Sequence, residues 1–253
     1  MRKHVLRIAV FVALTIGFVL GSVPAKACEG GIMVELFNVG MANCYIVSQG
    51  GSAVLVDTGT AKNREAILGK CRAAGVKLIV LTHGHYDHVQ NAAWLAEALG
   101  VPVAMHPADV PLLENILAEP IHAHALQGKA MAAVIRLGQR PSLKNLVTRV
   151  QQNEIPLFTP DIELADGFSL EAYGIDAKVI ALPGHTRGSI GLLAGGDLLA
   201  GDALMHIAKP GRAAHYVDRA AMEASASKIA ALGDIMVWFG HGRPVRNRGW
   251  QES

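Results

Sequence analysis

The sequence predicts an α/β domain in which two sheets pack face to face with helices on their outer surfaces. Short runs of β-branched residues closed by Gly or Asn fill the beginning and the end of the chain, and segments with helical spacing alternate with them. Between the two β-rich halves lies a long stretch with a helical pattern only, read as an insertion.

Taken in order, "IMVELFNVG", "NCYIVSQGG" and "SAVLVDTGT" predict strands joined by tight turns between Gly30 and Asp57. Residues 61–74 predict a helix that stops before Gly75, and the apolar strand "KLIVLT" follows. "VQNAAWLAEALG" predicts a second helix ending at Gly100, with Trp94, Leu95 and Leu99 read as core, and "VPVAM" predicts a buried strand. The helical insertion runs from about 107 to 156 through "ADVPLLENILAE", "HALQGKAMAAVIRLG" and "SLKNLVTRVQQN". After it, "IELADGFSLEAYG", "AKVIALPG", "GSIGLLAGG" and "DLLAGDAL" predict strands. An Ala-rich helix from Asp218 to Leu232 and a last strand, "IMVWFG", complete the pattern.

Residues 1–27 are set apart as a secretory signal: a positive start, an apolar run from Ile8 to Leu20 that is short for a membrane span, and the A-x-A site Ala25-Lys26-Ala27. The competing reading is an uncleaved anchor, and Cys28 makes lipidation a minor alternative. One domain, 28–253, remains, exported to the periplasm or medium and without a stable membrane span once the signal is removed. The net charge of the whole chain is +2, and Arg2, Lys3, Arg7 and Lys26 all lie in the signal, so the mature chain carries −2. That balance excludes a polybasic nucleic-acid binder, and Arg243, Arg246 and Arg248 read as a solvated tail. Cys28, Cys44 and Cys71 could form any one of three disulfides in an oxidising compartment, and none has zinc-finger spacing.

The chemistry concentrates in "THGHYDH". His83 and His85 are two apart, so on an extended stretch leaving a strand they face the same way and can grip one ion. Asp87 and His88 follow where a helix begins and turn toward a second. "LPGHTRGS", "LLAGDAL" and "VWFGHGRP" then place His185, Asp202 and His241 at three further strand ends, each beside a glycine that allows a sharp turn. This donor set suits Zn²⁺ best and Fe²⁺ or Mn²⁺ less well. Two such ions about 3.5–4 Å apart share a water and lower its pKa toward about 7, which makes hydrolysis by a bridging hydroxide the default chemistry. Asp87 is the candidate catalytic residue, orienting that hydroxide and passing on its proton.

With "VDTG" at Asp57, these motifs resemble the metallo-β-lactamase-fold hydrolase superfamily from about Ile32 to Pro244. The resemblance implies a four-layered αββα sandwich with a dinuclear site at one edge. It implies that His83, His85 and His185 hold one metal, that Asp87, His88 and His241 hold the other, and that Asp202 bridges them. Asp57 and Thr186 are implied to steady the ligand loops, although an ordinary turn aspartate would serve the sequence at position 57 equally well.

Within that superfamily, a retained bridging aspartate points to cleavage of an ester, thioester, lactone or related small-molecule carbonyl substrate, as in the glyoxalase II-like branch. β-Lactam hydrolysis and a mononuclear non-haem iron thiol or persulfide oxygenase are the alternatives. The glutathione-binding helical domain of glyoxalase II has no counterpart in the twelve residues after His241, so substrate access is assigned to the insertion. Among the remaining histidines of the mature chain, His122 and His124 read as surface or packing residues. His206 is the candidate substrate contact, and His106 and His215 receive no role.

Overall fold

In the computed structural model, the described residues are 23–27, 31–38, 42–115, 118–120, 122–123, 140, 157–207 and 209–248. The first sheet has seven strands in the order β1-β2-β3-β4-β5-β6-β8. They are β1 (Val23–Ala27), β2 (Met33–Asn38), β3 (Asn43–Gln49), β4 (Ser52–Val56), β5 (Val76–Val80), β6 (Val103–Met105) and β8 (Ile162–Glu163). β1 to β4 form an antiparallel meander, whereas β4, β5, β6 and β8 run parallel.

The second sheet has the order β16-β15-β11-β10-β9. Its strands are β9 (Ala177–Ala181), β10 (Ile190–Ala194), β11 (Asp197–Leu199), β15 (Met236–Trp238) and β16 (Val245–Arg246). Two short pairs stand apart: β12 (Leu204–His206) with β13 (Pro210–Arg212), and β7 (His122–Ala123) with β14 (His215–Tyr216).

The period-two alternation of strand side chains builds the layers. From β2 to β5, Val34, Leu36, Tyr45, Val47, Val54, Val56, Leu78 and Val80 face the second sheet and meet Val179, Ile190, Leu192 and Trp238. The intervening Cys44, Ile46, Leu55, Ile79 and Leu81 face outward, under α1 (Arg64–Ala74) and α3 (Ala92–Leu99), where Ile67, Cys71 and Leu95 cover them. Both faces are covered, which is why these strands are apolar throughout. On the far side, Ile180, Leu182, Leu198 and Val237 pack under Ala226 and Ile229 of α5 (Arg219–Ala230). The order is therefore helices, sheet, sheet, helix, the four-layered sandwich that the sequence predicts. Tyr45 and Trp238 join the sheets edge to face, their ring centroids 6.0 Å apart.

Some elements differ from expectation. "IELADGFSLEAYG" is not one strand: β8 takes only Ile162–Glu163, and Glu171–Tyr173 is a single 3-10 turn. "DLLAGDAL" splits into β11, a 3-10 turn at Gly201–Ala203 and β12, because the chain must bend to present Asp202. The C-terminal arginines are not all a free tail, since Arg246 lies in β16 with its Nη1 3.3 Å from Asp234 Oδ1. Cys44 and Cys71 are buried free thiols.

Of the predicted insertion, the described parts are a 3-10 turn at Pro107–Asp109, α4 (Val110–Glu114), residues 115, 118–120 and 140, and β7. The rest of it, like residues 1–22 of the predicted signal, lies outside the described residues. β1 falls inside the predicted signal and forms the edge of the first sheet, paired only with β2. Among the described residues, no helix is long and apolar enough to cross a membrane.

Candidate metal centre

Parallel strands deliver their C-terminal ends to one rim, and the predicted ligands are gathered there. β4 leads to Asp57, and β5 leads to Thr82, His83, His85 and the one-turn helix α2 (Tyr86–Val89) that carries Asp87 and His88. In the second sheet β9, β11 and β15 run the same way and lead to His185, Asp202 and His241. The rims are tied by backbone hydrogen bonds from Asn43 N to Gly240 O (2.7 Å) and from Ile190 N to Thr82 O (2.9 Å).

All seven predicted ligand residues converge. His83, His85 and His185 form one group and Asp87, His88 and His241 a second; the ligand atoms within each group lie within 4.8 Å of one another. Asp202 reaches both. Its Oδ2 is 3.6 Å from His185 Nε2, 3.8 Å from His83 Nε2 and 3.2 Å from His241 Nε2, while its Oδ1 is 3.6 Å from His88 Nε2. Asp87 Oδ2 lies 3.4 Å from His241 Nε2.

The surroundings choose which nitrogen of three of the rings faces the centre. Asp57 Oδ2 accepts from Thr82 Oγ1 (2.8 Å) and from His88 Nδ1 (2.8 Å), so His88 turns Nε2 inward. Thr82 Oγ1 donates its hydrogen bond to Asp57 and so accepts from His83 Nδ1 at 3.1 Å, which leaves His83 Nε2 with a free lone pair. His185 Nδ1 donates to His215 O (2.9 Å), which leaves Nε2 as an acceptor facing the centre, 2.9 Å from His85 Nδ1. Orientation of ligand imidazoles through their second nitrogen is the usual construction of a metal site. Asp57 is the only described non-glycine residue with positive φ, 58°, a conformation that aspartate tolerates and in which its carboxylate meets Thr82 and His88.

Burial first, and then the neighbouring histidines, hold His83 and His85 well below the usual imidazole range, so both are neutral donors. Burial likewise lowers His185. His88 is raised well above its ordinary value despite burial, because Asp202, Asp57 and Asp87 surround it. His241 rises to about 9 against the same penalty, chiefly through Asp202. Burial opposes ionisation of Asp202 too, but His241 and His88 hold its carboxyl well below the usual range. The carboxylates thus favour positive charge on the His88 and His241 side, and burial keeps the His83, His85 and His185 side neutral.

Two buried atoms test whether an ion fits. His83 Nε2 and Asp202 Oδ1 have no hydrogen-bond partner, and each faces the cluster. Leaving such atoms unpaired is costly unless something coordinates them. Nitrogen and carboxylate donors at these separations suit a divalent cation.

The supporting residues are placed as follows. Thr186 is buried and donates from Oγ1 to Asp109 Oδ2 (2.7 Å) rather than to a ligand. His206 donates from Nδ1 to Arg243 O (2.8 Å), and its backbone N–H donates to His241 O (3.0 Å). Tyr86 and Trp94 pack on the helix-covered face of the first sheet. Two residues had no warning in the sequence. The His215 ring lies 4.4 Å from that of His185 and 5.2 Å from that of His85, centroid to centroid, and burial lowers its pKa to about 3. Asp109 is fully buried beside the His185 loop.

Comparison with known proteins agrees with the geometry. Aligned with uncharacterised proteins of Mycobacterium tuberculosis and Mycobacterium bovis, the chain is 31% identical over 152 residues, spanning 58% of its own length and 58% of theirs. A probable metallo-hydrolase of Bacillus subtilis, YflN, is 26% identical over 87% of this chain and 88% of its own. A hydroxyacylglutathione hydrolase of Anaeromyxobacter dehalogenans is 29% identical over 78% of this chain and 60% of its own. Among solved structures, a di-iron-bound form of TTHA1623 superposes with a TM-score of 0.59 at 27% identity, covering 84% of this chain and 93% of that one. The B3 metallo-β-lactamase BLEG-1 shares the fold, with a TM-score of 0.61 at 22% identity over 82% of this chain and 90% of its own. The family model described as the metallo-beta-lactamase superfamily matches residues 37–241, from β2 through the last predicted ligand, and the chain belongs to that superfamily.

Proposed function

We propose that the protein is a dinuclear zinc hydrolase that cleaves an ester, thioester or lactone. The observation that carries this reading is the position of Asp202, whose two oxygens reach histidines of both ligand groups. One ion would be held by His83, His85 and His185, the other by Asp87, His88 and His241, with Asp202 shared. Bound there, the ions would polarise the scissile carbonyl and make water acidic enough to ionise near neutral pH.

The chain's own residues do the rest. Asp87 turns Oδ2 toward His88 and His241, which leaves Oδ1 to hold the attacking water and take its proton. Asp57 keeps His88 in the tautomer that presents Nε2, and the His215 carbonyl does the same for His185. His206 and His215 are half-buried beside the ligand loops and are the substrate contacts of this reading.

Retention of Asp202 and the similarity to a hydroxyacylglutathione hydrolase favour an activated carbonyl over a β-lactam. The di-iron form of TTHA1623 makes iron the natural competitor to zinc in the same ligand set. Export completes the proposal: residues 1–27 have the signature of a secretory signal, and cleavage after Ala27 would remove an edge strand and none of the site.

The test is a side-by-side turnover screen of zinc-reconstituted protein on lactone, thioester, ester, β-lactam and phosphodiester substrates. Preference for one of the first three supports the proposal. Exclusive β-lactam or phosphodiester cleavage, or oxygen-dependent thiol oxidation by iron-loaded protein, would replace it.

A further inference from the structure

A second buried carboxylate mirrors Asp57 on the other side of the centre. Asp109 Oδ2 accepts from Gly84 N (2.9 Å) and from Thr186 Oγ1 (2.7 Å), and its Oδ1 accepts from Gly188 N (2.6 Å). Gly84 lies between His83 and His85, and Thr186 directly follows His185, so the three donors come from the two loops that carry the first ligand group. Among the described residues, these three hydrogen bonds of Asp109 all go to the loops of the first group.

The approach is close enough to require glycine in both loops. A Cβ on Gly188 would stand 2.7 Å from the Asp109 carboxyl carbon, and one on Gly84 would stand 2.9 Å from Asp109 O and 2.8 Å from Leu112 Cβ. A second acid ten positions along the same segment acts alongside it. Buried Glu119 accepts from Arg187 N at 3.3 Å, with its other oxygen 3.6 Å from Arg187 Nε.

We propose that Asp109 is a positioning residue for the first ligand group, clamping the His83–His85 and His185 loops together while Asp57 serves His88 in the second. The assignment rests on reading the cluster as a metal centre. Two of the three donors are backbone N–H groups that can only donate, so the hub must be an acceptor at both oxygens. A carboxylate meets that demand, whereas an amide turns an N–H toward another donor. The consequence follows the connectivity: disturbing Asp109 loosens His83, His85 and His185 and leaves Asp87, His88 and His241 in place. Loss of a residue that orients ligands commonly weakens metal binding about 10–100-fold.

Cobalt(II) titration of the metal-free full chain, read by the visible absorption of each bound ion and by competition with a chelator, tests this alongside the thermal midpoint of the metal-free protein. Wild type should bind two ions. Asp109→Asn should weaken the first group about 10–100-fold with the second unchanged, whereas Asp57→Asn, which frees His88 directly and His83 through Thr82, should weaken the second group as well. Thr186→Val, which removes one donor and keeps the carboxylate, should weaken the same group about two- to ten-fold and remains informative if Asp109→Asn does not fold. In whichever of Asp109→Asn and Thr186→Val folds, unchanged affinity at the first group, or equal loss at both groups in step with a lower thermal midpoint, would overturn the assignment. A wild-type chain that takes up no cobalt would instead sink the metal reading beneath it.

Discussion

Asp202 Oδ2 stands 3.2 Å from His241 Nε2 and 3.6 Å from His185 Nε2, although the two histidines belong to different ligand groups and leave different strands. A single carboxylate therefore couples the halves of the centre. Asp202→Ala should remove tight binding of at least one of the two ions and lower turnover by about 100-fold or more. Metal analysis after gel filtration checks it, and two retained equivalents would show that Asp202 is not shared.

Asp87 has a different task. Asp87→Ala should cut hydrolysis about 10²–10⁴-fold and weaken the second ion, with His83, His85 and His185 still able to hold the first. Steady-state kinetics with metal analysis on one preparation separates the two effects. Full activity in this variant would remove Asp87 from the mechanism.

Metal binding should release protons. His241 is raised to about 9 in the metal-free chain, and His88 is raised as well, so both must give up protons to coordinate. The sign for stability is opposite. A raised histidine stabilises the metal-free fold fully below its unfolded value of 6.5, and that contribution disappears as pH rises through about 9. Between about pH 7 and 9, zinc affinity should therefore rise while the thermal midpoint of metal-free protein falls, measurable by calorimetry in buffers of differing ionisation enthalpy.

The sandwich itself depends on Trp238. It is fully buried, packs on Tyr45 across the sheets, and donates from Nε1 to Asp197 Oδ2 at 3.1 Å. Trp238→Ala should cost about 3–5 kcal/mol in denaturant unfolding, the usual range for truncating a buried aromatic residue. A loss well under 1 kcal/mol would mean that the sheets are held together elsewhere.

The layers were legible in the sequence because Val54, Leu55, Val56 and Leu78 to Leu81 leave no polar face, which happens only when both sides of a strand are covered. The convergence of the seven cluster residues was legible because "THGHYDH" is local and the other three sit at Gly-flanked strand ends. Asp109 was not. It acts through hydrogen bonds to residues 25, 77 and 79 positions away, and "HPADVP" reads by itself as an ordinary helix start. His215 was missed for the same reason: its place beside His185 depends on β14 pairing with β7 and on a carbonyl rather than a side chain. β1 was hidden because its residues also make a plausible cleavage site.

The central claim is that Asp202 joins two metal sites into one hydrolytic centre. Its most direct test is the number of zinc ions retained per chain after the metal-free protein is loaded and dialysed. The account predicts two, one for each ligand group around Asp202. One equivalent at saturation, with Asp87 and His241 dispensable for binding it, would contradict it.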